Sequence, residues 1–429
     1  MSHEPAVAVV SSAPSPRRAA LAFIFITVVL DMLALGVIVP VLPKLIEDFV
    51  QGDTARAAEI YGLFGTAWAL MQFIFSPVLG ALSDRYGRRT VILLSNFGLG
   101  LDYIVMAIAP GVGWLFLGRI ISGITSASFT TASAYIADVA PEEKRAAGFG
   151  MLSAAFGLGF ILGPALGGVV GNIAPRLPFW VAAAFSLINA LYGLFVLPES
   201  LPPDRRKPFS WSRANPVGSV KLLRSHEELF GLAVCSFIGY IAHEALPTTF
   251  VLYAMYRYSW NERTVGIALA LVGACSAIVG AGLVQPLVTR LGERRVMVAG
   301  LWFGVAGFAI YGLAATGLVF WIAIPITGLW GLSGPPMQSL MTRRVNVSEQ
   351  GQLQGALSSM RGIAFMIGPV LFTNMFAAFI NPKTDLHLPG APYLLAAVML
   401  IAATVVAWRA TAPRPDKESP AFNPAPEQA

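Results

Sequence analysis

"GMLSAAFGLGFILGPAL" (150–166) and "GALSSMRGIAFMIGPVL" (355–371) are two copies of one segment. At a shift of 205 residues they agree at Gly150, Leu152, Ser153, Gly157, Phe160, Gly163, Pro164 and Leu166. The same shift carries Arg85, Gly87 and Arg89 onto Arg290, Gly292 and Arg294, and Gly123 onto Gly328. One constant offset across three separated segments makes the chain a tandem repeat.

What repeats is apolar. The 429 residues are 56% hydrophobic and 12% charged, with a mean hydropathy of +0.67. A soluble domain carries about 25% charged residues, so this chain belongs in lipid. A bilayer core of about 30 Å needs about 20 apolar residues to cross. Such runs cover 19–43, 58–80, 90–110, 112–138, 147–172, 177–197, 229–256, 262–288, 296–316, 318–341, 352–379 and 391–411. The expected fold is therefore an all-α integral membrane protein of twelve transmembrane helices in two six-helix bundles. The first bundle spans 19–197 and the second 229–411, with tails at 1–18 and 412–429. Residues 198–228 are proline-rich, basic and polar, the composition of a linker. The first run follows Arg17-Arg18 but is too long for a signal peptide, carries Asp31 and lacks a small-residue cleavage site.

The basic residues give an orientation. Of the 29 lysines and arginines, 21 fall in segments on the side of the termini and 6 on the other, with Arg119 and Arg361 counted as buried in helices. Basic loops stay in the cytoplasm, so both termini are expected there, in the inner (plasma) membrane. This bias absorbs the net charge of +6, and no nucleic-acid partner is needed. Cys235 and Cys275 lie in apolar runs and argue against disulfides. Neither GxxxxGK[ST] nor HExxH nor paired CxxC occurs, which speaks against ATP-driven export and a metal enzyme. Six-helix repeats around a central cavity are instead a transporter architecture.

Several residues contradict their surroundings. Asp31 lies about 18 Å into the first helix, where a charge costs roughly 2.5–3.5 kcal/mol. Asp102 is as deep in the third. Burial favours the neutral acid, which equips either to take up and release a proton; a hydrogen-bonded structural pair is the alternative. Arg119 needs a buried partner, and the first helix offers one. Gln72 is a midplane amide, suited to a substrate or to a helix–helix hydrogen bond. His243 and Glu244 interrupt the seventh helix as a second titratable site, a cation-attracting acid or an interhelical contact. "GALSDRYGRR" (80–89) sets Asp84, Arg85, Arg88 and Arg89 around Gly87, which permits the positive φ of a tight turn. It serves either as an orientation signal or as a charge latch between two conformations. The second copy, "PLVTRLGERR" (286–295), has Thr289 in place of the acid, so the latch is expected to be one-sided.

Taken with "LDMLALGVIVPVLP" (30–43), "LDYIVMAIA" (101–109), "LGRIISGITSAS" (117–128) and "FGLGFILGPALGG" (156–168), the chain resembles the major facilitator superfamily. Within it, the chain is similar to the tetracycline-resistance type of drug:proton antiporter. That resemblance implies efflux of small amphipathic drugs by alternating access. It implies proton coupling at Asp31, Asp102 and Arg119, gating by Asp84, Arg85, Gly87, Arg88 and Arg89, and substrate contacts at Gln72, Asp31 and Asp102. It also implies an antiporter motif at Gly159, Gly163, Pro164, Gly167 and Gly168. Glu244 and His243 complete the expected substrate site. The chain departs from the pattern at Ser276, where a histidine is expected, and at Gly304, where an acid is expected, which puts tetracycline itself in doubt. No cofactor beyond the proton, no metal and a monomer are expected. Uptake or exchange of a metabolite is the alternative function, and a membrane receptor or enzyme on the same scaffold a further one.

Overall fold

A computed structural model describes residues 16–126, 128–140, 145–206, 227–346, 349–382 and 386–412. Most of the 198–228 linker and of both tails lies outside the described residues.

The first half consists of α1 (Pro16–Ile38), α2 (Leu42–Phe49), α3 (Thr54–Tyr86), α4 (Arg88–Ile108), α5 (Val112–Thr125), α6 (Ser128–Val139), α7 (Arg145–Gly171) and α8 (Leu177–Val196). The second consists of α9 (Glu227–His243), α10 (Ala245–Tyr258), α11 (Glu262–Ile278), α12 (Val284–Leu291), α13 (Glu293–Leu313), α14 (Gly317–Gly328), α15 (Gly334–Thr342), α16 (Gln350–Ile380) and α17 (Ala391–Ala410). No strand occurs among the described residues. Eleven helical stretches are long and apolar enough to cross a membrane. The expected fourth span is instead two short helices, α5 and α6, broken around Ser126.

The repeat survives in three dimensions. Both α4 and α13 are 21-residue helices related by the 205 shift, and both follow a glycine at positive φ, Gly87 at 101° and Gly292 at 83°. Both α8 and α17 are 20 residues long but offset by 214, because the connection before α17 is longer. Local chemistry starts the helices. Asp53 accepts from Arg56 N at 2.9 Å ahead of α3, and Asn261 accepts from Thr264 N at 2.9 Å ahead of α11, each satisfying a backbone donor that the first turn leaves open.

Lipid and interior separate by helix face. Along α4, Leu94, Phe97, Leu101 and Ile108 are exposed at helical spacing, while Ser95, Asn96, Asp102, Tyr103 and Met106 are buried. Such an apolar outer stripe on a span is a lipid face. The polar residues therefore point inward, which is where a site can form.

The halves meet along two seams, α3 on α16 and α7 on α11. Thr66 donates to Met366 O at 2.7 Å across the first seam, and Gly65 faces Pro369. Across the second, a Cβ at Gly168 would stand 3.0 Å from Gly266 Cα. Both contacts lie toward the end where α3 begins and α7 ends. Toward the other end, the positions of Gly80, Gly150, Gly157, Gly280 and Gly351 face open space. The contacts named between the halves thus gather toward the end opposite the Asp84 turn.

Candidate functional site

The deep charges form one cluster. Asp102, on the inner face of α4, is fully buried, and Arg119 of α5 places its Nη2 3.8 Å from Asp102 Oδ2. Gly118, next to Arg119, faces Asp102 Oδ1, so a bare backbone there lets the two helices approach. Arg119 also donates from Nη2 to Met106 Sδ at 3.4 Å. Neither Asp102 oxygen, nor Arg119 Nε, nor the nearby Ser122 hydroxyl has a well-formed hydrogen bond among the described residues. Asp31 of α1 is 5% exposed, and the buried Tyr103 lies within electrostatic reach of Asp31, Asp102 and Arg119 together. The arginine was expected to have a partner on the first helix; the structure also sets Asp102 beside it, since α4 and α5 pack against each other.

The cluster communicates across the halves. Tyr61 of α3 lies within electrostatic reach of both Arg119 and Glu244. Glu244 sits at the break between α9 and α10, buried against Gly368 of α16, with Oε1 3.5 Å from His243 Nδ1. It is His243 that is exposed, its side chain 60% accessible and its ring 5.9 Å from that of Trp330. Gln72 donates to Ser126 O at 3.4 Å, meeting a carbonyl freed where α5 and α6 separate. Arg361, counted as buried in the sequence, is exposed, its guanidinium 4.8 Å from the centre of the Tyr240 ring.

The antiporter-motif residues form the packing spine of α7. Gly159 faces Met32, Gly163 faces Gly36 and Gly167 faces the Val37 backbone, all on α1, while Gly168 and the Pro164 carbonyl face α11 at Gly266. Small residues let three helices converge on one segment.

The turn at 80–89 is a network. Arg88 pairs with Asp84 at 2.6 Å and with Asp138 of α6 at 3.1 Å, and it donates to Ser83 Oγ at 2.6 Å. Arg89 donates to the Gly193 and Leu194 carbonyls at the end of α8. Arg85 lies outward over Tyr86, 5.1 Å from its ring centre. The first backbone N–H of α4, at Arg88, is capped by Glu199 Oε1 at 2.9 Å, which also accepts from Ser200 N and Leu201 N at 3.0 Å. A Cβ at Gly87 would collide with this carboxylate. Neither Asp138 nor Glu199 is evident from the motif alone.

The second copy is not one-sided. Thr289 is exposed and bonds only Pro286 O, at 2.9 Å, but Glu293 pairs with Arg343 at 2.8 Å. Positions 293 and 343 are positions 88 and 138 plus 205. The second half therefore carries the same ion pair with its charges exchanged. The missing acid at 289 drew attention away from it, although the exchange is legible at the same offset.

At the departures from the resemblance, Ser276 bonds Val272 O of its own helix at 2.9 Å. Gly304 is filled by its neighbours: an added Cβ would stand 2.9 Å from the Trp330 ring and 2.8 Å from Leu400.

Relatives support the same architecture. The class C tetracycline resistance protein of Escherichia coli is 38% identical over 84% of this chain and 90% of its own length. The class G protein of Vibrio anguillarum is 37% identical over 81% and 88%. A bacterial homologue of the human lysosomal transporter Spinster, solved inward-facing and unoccupied, superposes with a TM-score of 0.75 at 16% identity, covering 93% of this chain and 97% of that one. The sequence matches the Major Facilitator Superfamily over residues 24–369 and 232–429. With its doubled helical halves, apolar outer faces and interior charge cluster, the chain belongs to the Major Facilitator Superfamily, as a multi-pass membrane transporter and not an enzyme.

Proposed function

We propose that the chain is a proton-coupled exporter of small amphipathic drugs, working by alternating access. The observation that carries this reading is the Asp102–Arg119 pair: fully buried, 3.8 Å apart and short of hydrogen bonds. A structural ion pair is normally saturated with hydrogen bonds, because each unmet buried group costs about 1–3 kcal/mol. A pair left unsatisfied suits a carboxylate that gains and loses a proton, with Asp31 and Tyr103 beside it. The gathering of contacts between the halves toward one end supports rocking about a site between them. In this reading the chain has twelve spans, with α5 and α6 as the broken fourth. Both termini are cytoplasmic and the cavity opens inward, in the inner membrane, with a monomer as the working unit and the proton as sole coupling species.

The energetics are adequate. A proton motive force of about 180 mV supplies about 4 kcal/mol per proton, enough for a drug gradient of about 10³. Efflux of tetracycline-like compounds is the substrate reading that the relatives favour. The test is drug movement in inverted membrane vesicles under an imposed pH gradient: accumulation that collapses when the gradient is dissipated supports export. Gradient-independent movement, or uptake in the opposite sense, overturns it.

A further inference from the structure

Arg361 is a charge that the proton-coupling cluster does not use. It stands 11 residues into the 31-residue α16, about 16 Å from the helix start. Among the described residues no carboxylate lies within 4.0 Å of it. Glu244, the acid of this half, packs on Gly368, two turns further along the same helix.

The surroundings say which way it faces. Along the second part of α16, Ile367, Leu371, Asn374 and Ala378 are exposed at helical spacing, a stripe of apolar residues interrupted by one amide. Along the first part Gln354, Ser358 and Arg361 are exposed and share one face, turned about a third of the way round the helix from that stripe. Gln338 of α15 donates to Gln354 at 3.4 Å, and Gly362 faces Phe73 of α3 in the other half. The polar stripe faces the space bounded by α15 and by α3 of the other half, at the end nearer the Asp84 turn. The guanidinium rests on the Tyr240 ring, which holds its plane and leaves its donor edge free. His243, exposed beside Trp330, lies less than one turn beyond Tyr240. The position that the repeat places opposite Arg361 is Phe156, exposed and stacked on Phe160 with centroids 5.9 Å apart.

We propose that Arg361, held on Tyr240, is the anion-binding half of the substrate subsite, and that this transporter takes aromatic amphiphiles bearing a carboxylate or a comparable oxyanion. The ring system stacks against the Phe156–Phe160 wall, and the oxyanion meets the guanidinium edge in bidentate fashion. The inference rests on the efflux reading only in taking the space between the halves as the substrate site.

The test is equilibrium binding to the purified full-length protein in detergent, with no pH gradient, using 2-naphthoate, 2-naphthamide and 2-naphthylmethylammonium. These share one ring system and differ in charge. The wild type is expected to prefer naphthoate, and Arg361→Phe, which installs the residue type of the repeat-equivalent position, to lose about 10-fold or more of that affinity while binding naphthamide as before. Arg361→Lys is expected to keep part of the preference. Undetectable naphthoate binding in the wild type, no preference over naphthamide, or equal loss for both in Arg361→Phe overturns the proposal. Because binding is read without transport, an anion preference without export would leave the subsite standing and remove the efflux reading. Export without the preference would do the reverse.

Discussion

Arg119 stands 3.8 Å from Asp102, close enough for strong attraction at low dielectric and too far for a well-formed hydrogen bond. The bare backbone at Gly118 sets this spacing by letting α5 approach α4. In the proposed transport cycle, protonation of Asp102 would weaken its hold on Arg119.

Asp102→Asn and Asp31→Asn are each expected to abolish transport driven by a pH gradient in inverted vesicles. Asp102→Asn also leaves Arg119 buried without its counter-charge, a change worth about 3–5 kcal/mol in buried pairs. Adding Arg119→Gln to Asp102→Asn is therefore expected to raise the melting temperature above that of the single variant without restoring transport. Normal gradient-driven accumulation in both acid variants would remove the proton-coupling role.

The exchanged ion pairs predict a rescue. Arg88→Glu and Asp138→Arg are each expected to reduce turnover, and the double variant to recover much of it, since it installs the arrangement already used at Glu293 and Arg343. The coupling should be larger for Arg88 and Asp138, whose side chains are 11% and 24% exposed, than for Glu293 and Arg343, where the arginine is 69% exposed. For that exposed pair solvent screening leaves about 1 kcal/mol or less. A double-mutant cycle on turnover and thermal stability measures both.

Asp84→Asn is expected to slow turnover far more than it weakens substrate binding, because Asp84 sits at the open rim beside Arg88 and away from the deep cluster. Binding affinity and transport rate measured on the same preparation separate the two. Equal losses in both would indicate direct contact with substrate.

Glu199→Ala removes the carboxylate that caps α4 and accepts from three backbone N–H groups. A lost helix cap costs about 0.5–2 kcal/mol, which thermal unfolding in detergent would register. Turnover is expected to fall with it, because the cap ties the start of the linker to the Arg88 turn.

Tetracycline resistance is expected to be weak beside that of a typical relative, with another amphipathic compound exported better. Gly304→Asp is expected to lower stability and not to restore resistance, since the Trp330 ring and Leu400 occupy the space beside Gly304. Minimum inhibitory concentrations at matched expression decide the first point, and thermal unfolding the second.

Much of this was legible in the sequence. Hydropathy places the spans within a few residues, because the demand that a helix satisfy its own backbone in lipid leaves little else to determine. Gly87 and Gly292 announce their turns, since a positive φ favours glycine. The identity of partners was less legible. Nothing local tells Arg119 that Asp102 stands beside it; helix packing brings the two together. Asp138 and Glu199 approach the Arg88 turn from 50 and 111 residues away, and no motif records such distances. The break at Ser126 had a signal that the hydropathy of the whole run hides: "SGITSASFTTAS" (122–133) is rich in serine and threonine, whose hydroxyls compete for backbone hydrogen bonds.

The inverted ion pair also bears on how the two halves sort themselves during insertion. Duplicated bundles risk trading helices, since each turn fits its counterpart in the other copy almost as well as its own. Here such an exchange would set Arg88 against Arg343 and Asp138 against Glu293, like charge facing like. Each half thus rejects the other's helices at this contact, and the later-made half assembles on itself even though a template of the same fold already stands beside it in the bilayer.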